Sequence, residues 1–205
     1  PSSAASDVYK RQVFFSVTVG FAVTKMKWKF RNAVAQYFRF GIMIPVAIAL
    51  IPLFQIYSRS NLLNTRTCLI ITYIAFGLSL SIYLVQGYLR SFPDDIMEAA
   101  VIDGCTPFMA FWRIVFPLLM PSISAVVILN GFGIWNNYSQ AVFFLQSSAK
   151  HNVPQALSVY FQQFAGAKWN LMAATAVIAI VPVVVIFLIF QKSLMKGLTE
   201  GAIKG

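Results

Sequence analysis

Charge is scarce in this sequence. Asp, Glu, Lys and Arg make up 11% of the 205 residues, against 59% hydrophobic. That balance excludes an ordinary soluble domain. Acid is scarcer still: of six Asp and Glu residues, four (Asp94, Asp95, Glu98 and Asp103) crowd into one short stretch. The single histidine, His151, has no Cys, Asp or Glu beside it and reads as a solvated loop residue rather than a metal ligand. With two cysteines, Cys68 and Cys105, there is little material for a disulfide framework. No initiator Met opens the chain, which begins PSSAASDVYKRQ. Ser2–Gln12 resembles a translated sequencing adaptor, so residues 1–12 are set aside as a probable artefact. The gene product is then expected to be longer at its N-terminus, with real sequence starting at Val13.

What the chain does have is long apolar runs. Phe40–Ile56, Cys68–Gln86 and Leu171–Phe190 contain no charge, and about 20 such residues cross a bilayer. Ser122–Leu145 is a more polar candidate, holding Asn130, Asn136, Asn137 and Gln140. Val13–Val23 reads as the tail of a further span. The expectation is an all-α, polytopic transmembrane helical bundle, with residues 13–205 forming one transmembrane domain. The net charge of +10 forms no continuous basic stripe of the kind that tracks nucleic acid. Lys and Arg instead divide between alternate loops, ten against four. By the positive-inside rule, the loop holding Lys25 to Arg39, the loop around Arg90 to Arg113 and the C-terminal tail 192–205 face the cytoplasm. Cys68 and Cys105 then lie near opposite faces and cannot pair.

The acids mark the most informative segment, residues 91–121. In SFPDDIMEAA, Pro93 presets φ for a first turn, and Asp94 and Asp95 suit the positive end of the helix dipole. This helix should run to Ile102 or Asp103, where Gly104 permits a left-handed turn. Thr106 then reads as the N-cap and Pro107 as the first residue of a second helix over Phe108–Val115. Pro117 and Pro121 mark the bend back into the membrane. A peripheral anchor would favour Lys and Arg. An acid-tipped surface helix pair with small residues at Ala99 and Ala100 suits docking to a protein partner, the plainer alternative being a mere connector between spans.

EAAVIDGCTPFMAFWRIVFPLLMP resembles the EAA loop of binding-protein-dependent ABC importer permeases. That pattern is E-A-A, a short spacer, G, and further on I-x-x-P. Glu98, Ala99, Ala100, Asp103, Gly104, Ile114 and Pro117 fall on it in order. Cys105 departs, standing where the family usually has alanine. The resemblance runs from Val13 to Gly205 and is similar to the carbohydrate-uptake branch, near the maltose-type second permease subunit. IPLFQIYSRSNLLNT, FGIWNNY and GLTEGAIKG carry it, with Asn137 where the branch often has an acid. It implies a type I importer permease with about five of six spans present.

The resemblance further implies that Glu98, Ala99, Ala100, Asp103, Gly104 and Pro117 couple the spans to a separate ABC ATPase dimer. ATP and Mg would be bound by that partner, because this chain has no G-x-x-x-x-G-K-[ST] phosphate loop. A second permease subunit and an extracytoplasmic sugar-binding protein would complete the assembly, the latter touching the outer loop 146–170. A sugar path needs amides and aromatic rings, which Asn130, Trp135, Asn136 and Tyr138 offer; the same amides could equally bond neighbouring helices. An ATP-independent secondary transporter or channel would want charge within its spans, and the four fuller spans have none. A membrane enzyme would need a catalytic cluster, which the pattern does not supply.

Overall fold

The computed structural model describes residues 2–163 and 169–202, with side chains placed over 10–158 and 169–191. All its regular structure among these residues is helical: α1 (Ser2–Thr24), α2 (Arg31–Met43), α3 (Val46–Arg59), α4 (Arg66–Ser91), α5 (Asp95–Ile102), α6 (Pro107–Leu118), α7 (Met120–Trp135), α8 (Ser139–Phe144), α9 (Val153–Gln163) and α10 (Trp169–Ala202). Parts of the expected outer loop and tail, residues 164–168 and 203–205, lie outside the described residues.

Among the described residues, two helices are long and apolar enough to cross a bilayer alone. The 26 residues of Arg66–Ser91 include an 18-residue stretch of mean hydropathy 2.2, and the 23 of Trp169–Gln191 include one of 3.0. The expected span Phe40–Ile56 is not one helix. Ile44 is extended (φ −85°, ψ 110°), as a residue before proline prefers to be, and Pro45 has no N–H to continue the ladder. Arg31–Met43 and Val46–Arg59 reach the required length and hydropathy only as a broken pair, as do Pro107–Leu118 and Met120–Trp135. Ser122–Leu145 is also interrupted: α7 stops at Trp135, and Asn137 Oδ1 accepts from Gln140 N at 3.1 Å to start α8. Val13–Val23 lies within α1, whose helix continues back through the stretch set aside as adaptor-like. Gln12 is buried there and its Nε2 donates to Ser81 Oγ at 3.4 Å.

The chain divides into two compact units. The first comprises residues 1–44, 74–130 and 192–205. Its core joins Val17 and Phe21 of α1, Val85, Tyr88 and Leu89 of α4, Phe111 and Val115 of α6, and Leu119, Ile123 and Val126. The recurring spacing of four residues puts each set on one helix face. Lipid is as apolar as these side chains, so close packing rather than water exclusion has to hold the helices together. Gly20 provides it: a Cβ there would lie 2.7 Å from Val85 Cγ1. Its hydrogen atom lets α1 and α4 approach.

The second unit comprises residues 45–73 and 131–191. Leu50, Tyr57, Cys68, Leu69, Phe144 and Leu145 form its core. Tyr57 meets Phe144 edge-on, with centroids 5.2 Å apart, and its hydroxyl shares a 2.9 Å hydrogen bond with Thr72 Oγ1. Asn64 sits in the left-handed region (φ 57°), where Asn is tolerated better than most residues. From there its N–H reaches Phe144 O at 2.8 Å, and its Oδ1 accepts from Gln146 N and Ser147 N. Lys150 Nζ donates to Asn64 O at 2.6 Å. This one residue ties the α3–α4 turn to the segment after α8. Both cysteines are free, Cys68 buried and Cys105 half-buried.

Candidate functional site

The acid-rich segment folds as a helix hairpin of α5 and α6. Asp94 occupies the N-cap position of α5, directly after Pro93, and Asp95 and Glu98 fill the first turn near the positive helix end. The far end closes in a Schellman arrangement. Gly104 N donates to Val101 O at 3.0 Å and Cys105 N to Ala100 O at 2.9 Å. Gly104 takes φ +78°, the conformation a Cβ would oppose. Thr106 Oγ1 then accepts from Met109 N at 3.3 Å, and Pro107 opens α6. Sequence signals placed all three features.

α6 is not regular throughout. Phe111–Val115 widens into a π turn, with Phe116 N donating to Phe111 O five residues back. Pro117 lacks the N–H that a tight ladder would use next, and a wider turn accommodates that loss. The chain then bends by 67° into α7, with Pro121 removing a second donor beside the bend. Aromatic rings brace this side: Trp112 lies edge-on to Phe111 at 5.0 Å, tilted against Phe116 at 5.1 Å, and stacked on Phe14 of α1 at 6.4 Å.

Burial separates the two faces of the hairpin. Met97 packs against the core and Ala100 is 2% exposed. Glu98, Ala99, Asp103, Gly104 and Pro117 are exposed. Ala100 is therefore turned inward, while the other five expected residues are on the surface. Three apolar side chains share that surface and were missed from sequence: Val101, Ile102 and Phe108, with Ile102 85% exposed. Ile102 lies one helical turn beyond Glu98, so helical spacing from the acid would have found it.

The start of α5 is held from outside the hairpin. Lys25, just past the end of α1, donates from Nζ to Asp94 Oδ1 at 2.6 Å and to Phe92 O at 2.8 Å. The Lys25 side chain is 7% exposed and that of Asp94 81%. The hydrogen bond from Lys25, and then its charge, hold the Asp94 carboxyl below the usual carboxylate value; slight desolvation opposes this and Lys27 assists.

Comparison with known proteins identifies the family. The model of the family described as "Binding-protein-dependent transport system inner membrane component" matches residues 12–200. The chain belongs to that family. This permease is 34% identical over 193 residues to the arabinooligosaccharides transport system permease protein AraQ of Halalkalibacterium halodurans, covering 94% of this chain and 68% of the relative. It is 32% identical to the probable starch degradation products transport system permease protein AmyC of Thermoanaerobacterium thermosulfurigenes, over 93% of this chain and 69% of the relative. It is also 32% identical to the melibiose/raffinose/stachyose import permease protein MelC of Bacillus subtilis, over 94% and 70%. Its fold matches a solved bacterial ABC transporter involved in the import of the acidic polysaccharide alginate, with a TM-score of 0.68 at 22% identity, covering 90% of this chain and 74% of that one.

The expected path residues of the permease fall in different places. Asn130 belongs to the first unit, and Trp135, Asn136 and Tyr138 to the second. Asn130 Nδ2 uses both its hydrogens, on Ser81 Oγ at 2.8 Å and Val126 O at 3.0 Å. Trp135 Nε1 donates to Ala179 O at 3.1 Å. In this state both side chains make the helix-to-helix bonds expected of membrane polar groups. Asn136 and Tyr138 are exposed. His151 is half-buried, with its backbone N–H on Ser148 O at 3.2 Å.

Proposed function

We propose that this permease moves a carbohydrate, of the oligosaccharide class or related to it, across the cytoplasmic membrane. Its driving force would be ATP hydrolysis in a separate ATPase dimer. The hairpin of residues 91–121 would be the point where the two meet. The observation that carries this reading is the exposure of Glu98, Ala99, Asp103 and Gly104, together with that of Val101, Ile102 and Phe108, on a hydrogen-bonded, core-anchored helix pair. Charged and backbone groups in such a surface fix partner and register, while exposed apolar side chains mark a protein contact. A rigid docked helix then passes on rigid-body motion.

The carbohydrate class is supported by the relatives, whose names specify arabinooligosaccharides, starch degradation products and melibiose, raffinose and stachyose. A sugar would meet Asn136 and Tyr138, which supply an amide and an aromatic ring, with Asn130 and Trp135 available once their helix-to-helix bonds open. ATP and Mg would be held by the ATPase, and no catalytic residue is assigned here. A second permease subunit and an extracytoplasmic binding protein would complete the importer, the latter meeting the outer segment 146–170. The hairpin and the tail 192–205 would face the cytoplasm, as the Lys and Arg distribution argues.

The test is co-purification with the partner ATPase. Glu98→Lys and Ile102→Asp should each insert normally yet lose the ATPase, or lose its stimulation by loaded binding protein. Normal sugar uptake by both variants with the ATPase bound would refute the reading.

A further inference from the structure

The hairpin joins α4 through Ser91–Phe92 and α7 through Leu118–Met120, so those two helices follow its movement covalently. α1 has no such link: Lys25 and Asp94 are 69 positions apart. Yet two residues one turn apart at the end of α1 each hold one arm of the hairpin. The ring of Phe21, 5% exposed, lies 4.9 Å from Phe111 on α6. Lys25 Nζ bonds Phe92 O and Asp94 Oδ1, the residues on either side of Pro93, at the entry to α5.

We infer that the Phe21–Lys25 turn is a clamp that fixes both arms of the hairpin to α1, and that Lys25 is a positioning residue for coupling. The chemistry favours a rigid link. A nearly buried ammonium loses much of its hydration and is held by whatever replaces it, which here is one carboxylate and one carbonyl. The two acceptors flank a proline whose φ is fixed, so both bonds hold the same short, stiff piece of backbone. Exposed ion pairs contribute little, but the Lys25 side of this pair is not exposed. Without Lys25, α5 would keep its own helical bonds and the apolar packing of Met97 and Ala100. Its angle to α1 would then rest on apolar packing alone, chiefly Phe21 against Phe111 and Phe14 against Trp112.

The order of effects follows. Asp94→Asn leaves the carbonyl bond to Phe92, so it should act weakly. Lys25→Met removes both bonds while keeping the apolar stem. Lys25→Arg keeps the charge and donors and should restore most of the function.

This inference rests on the coupling reading above, and the experiment separates the two. The permease is reconstituted in proteoliposomes with its ATPase, second permease and binding protein. Basal and binding-protein-stimulated hydrolysis are measured with sugar uptake. Couplings between sites commonly span about 5- to 150-fold. Lys25→Met is expected to lower stimulation and uptake by about tenfold, in the lower part of that range, with ATPase retention and basal hydrolysis unchanged. Asp94→Asn should lose less, and adding it to Lys25→Met should lose nothing more. Full stimulation in Lys25→Met, or additive losses in the double variant, would overturn the clamp. If Glu98→Lys uncouples while Lys25→Met does not, the clamp fails and the coupling reading stands. If neither does, both fail.

Discussion

Gly104 offers the cleanest perturbation, because its surroundings isolate one physical effect. Its φ is +78°, and a Cβ built there meets nothing within 4 Å. Gly104→Ala therefore introduces no clash, and its cost is backbone strain alone. The left-handed conformation costs an ordinary L-residue roughly 1–2 kcal/mol. Asn adopts that conformation more readily, so Gly104→Asn should cost less. A change of one or two kcal/mol alters an equilibrium by a factor of about 5–30. The reporters are the amides of Asp103, Gly104 or its replacement, and Cys105, which bond to Ala99 O, Val101 O and Ala100 O. Hydrogen exchange on the detergent-solubilised permease should show their protection falling about 5- to 30-fold in Gly104→Ala. The loss should be smaller in Gly104→Asn, and core amides such as Leu89 should not change. Equal protection in all three proteins would refute the reasoning. So would equal losses for Ala and Asn, since the strain would then not be the cause, or a parallel loss at Leu89, since the change would then not be local.

Three further outcomes follow from the same geometry. Gly20→Ala should lower the unfolding midpoint in detergent, with overpacking against Val85 costing about 1–3 kcal/mol. Gly87→Ala, where a Cβ meets nothing within 4 Å, should be neutral or stabilising; equal effects at the two sites would remove the close-approach argument. The Asp94 carboxyl is depressed below its ordinary value of 3.8, so its stabilising contribution is complete above that value and is lost as pH falls through the depressed one. A carboxyl NMR titration should place its midpoint below 3.8 in the intact permease, moving up towards it in Lys25→Met; a midpoint at or above 3.8 in the intact protein would contradict the ion pair. Finally, in a permease with Cys68 and Cys105 replaced, an impermeant thiol reagent applied to intact cells should label a cysteine placed at Ser148 and spare one placed at Glu98. The reverse pattern would invert the topology.

Much of the hairpin was legible in the sequence, because its signals are local. Thr106 and Pro107 start a helix through bonds and dihedrals within a single turn, and Gly104 ends one through its own φ. None of these depends on a distant partner. The apolar runs likewise declare a membrane chain by composition alone, since a backbone in lipid has few ways to satisfy its hydrogen bonds. The breaks within those runs were harder to read. Pro45 and Pro52 obey the same steric rules, yet the chain leaves the helix at Ile44 and passes through Pro52 inside α3. The local rule does not distinguish them.

Only the tertiary structure decided which hairpin residues face outward. The resemblance grouped Ala100 with Glu98 and Asp103. Packing against the core turns Ala100 in and leaves Ile102 and Phe108 out. It alone brought Lys25 to Asp94 across 69 positions, because no periodicity within one helix encodes a bond between two. The polar residues of α7 show the same limit. An amide in a membrane helix must find a partner, but whether Asn130 bonds a solute or Ser81 depends on which helix packs beside it. That choice belongs to the assembled bundle, where contacts between helices far apart in sequence set the energy.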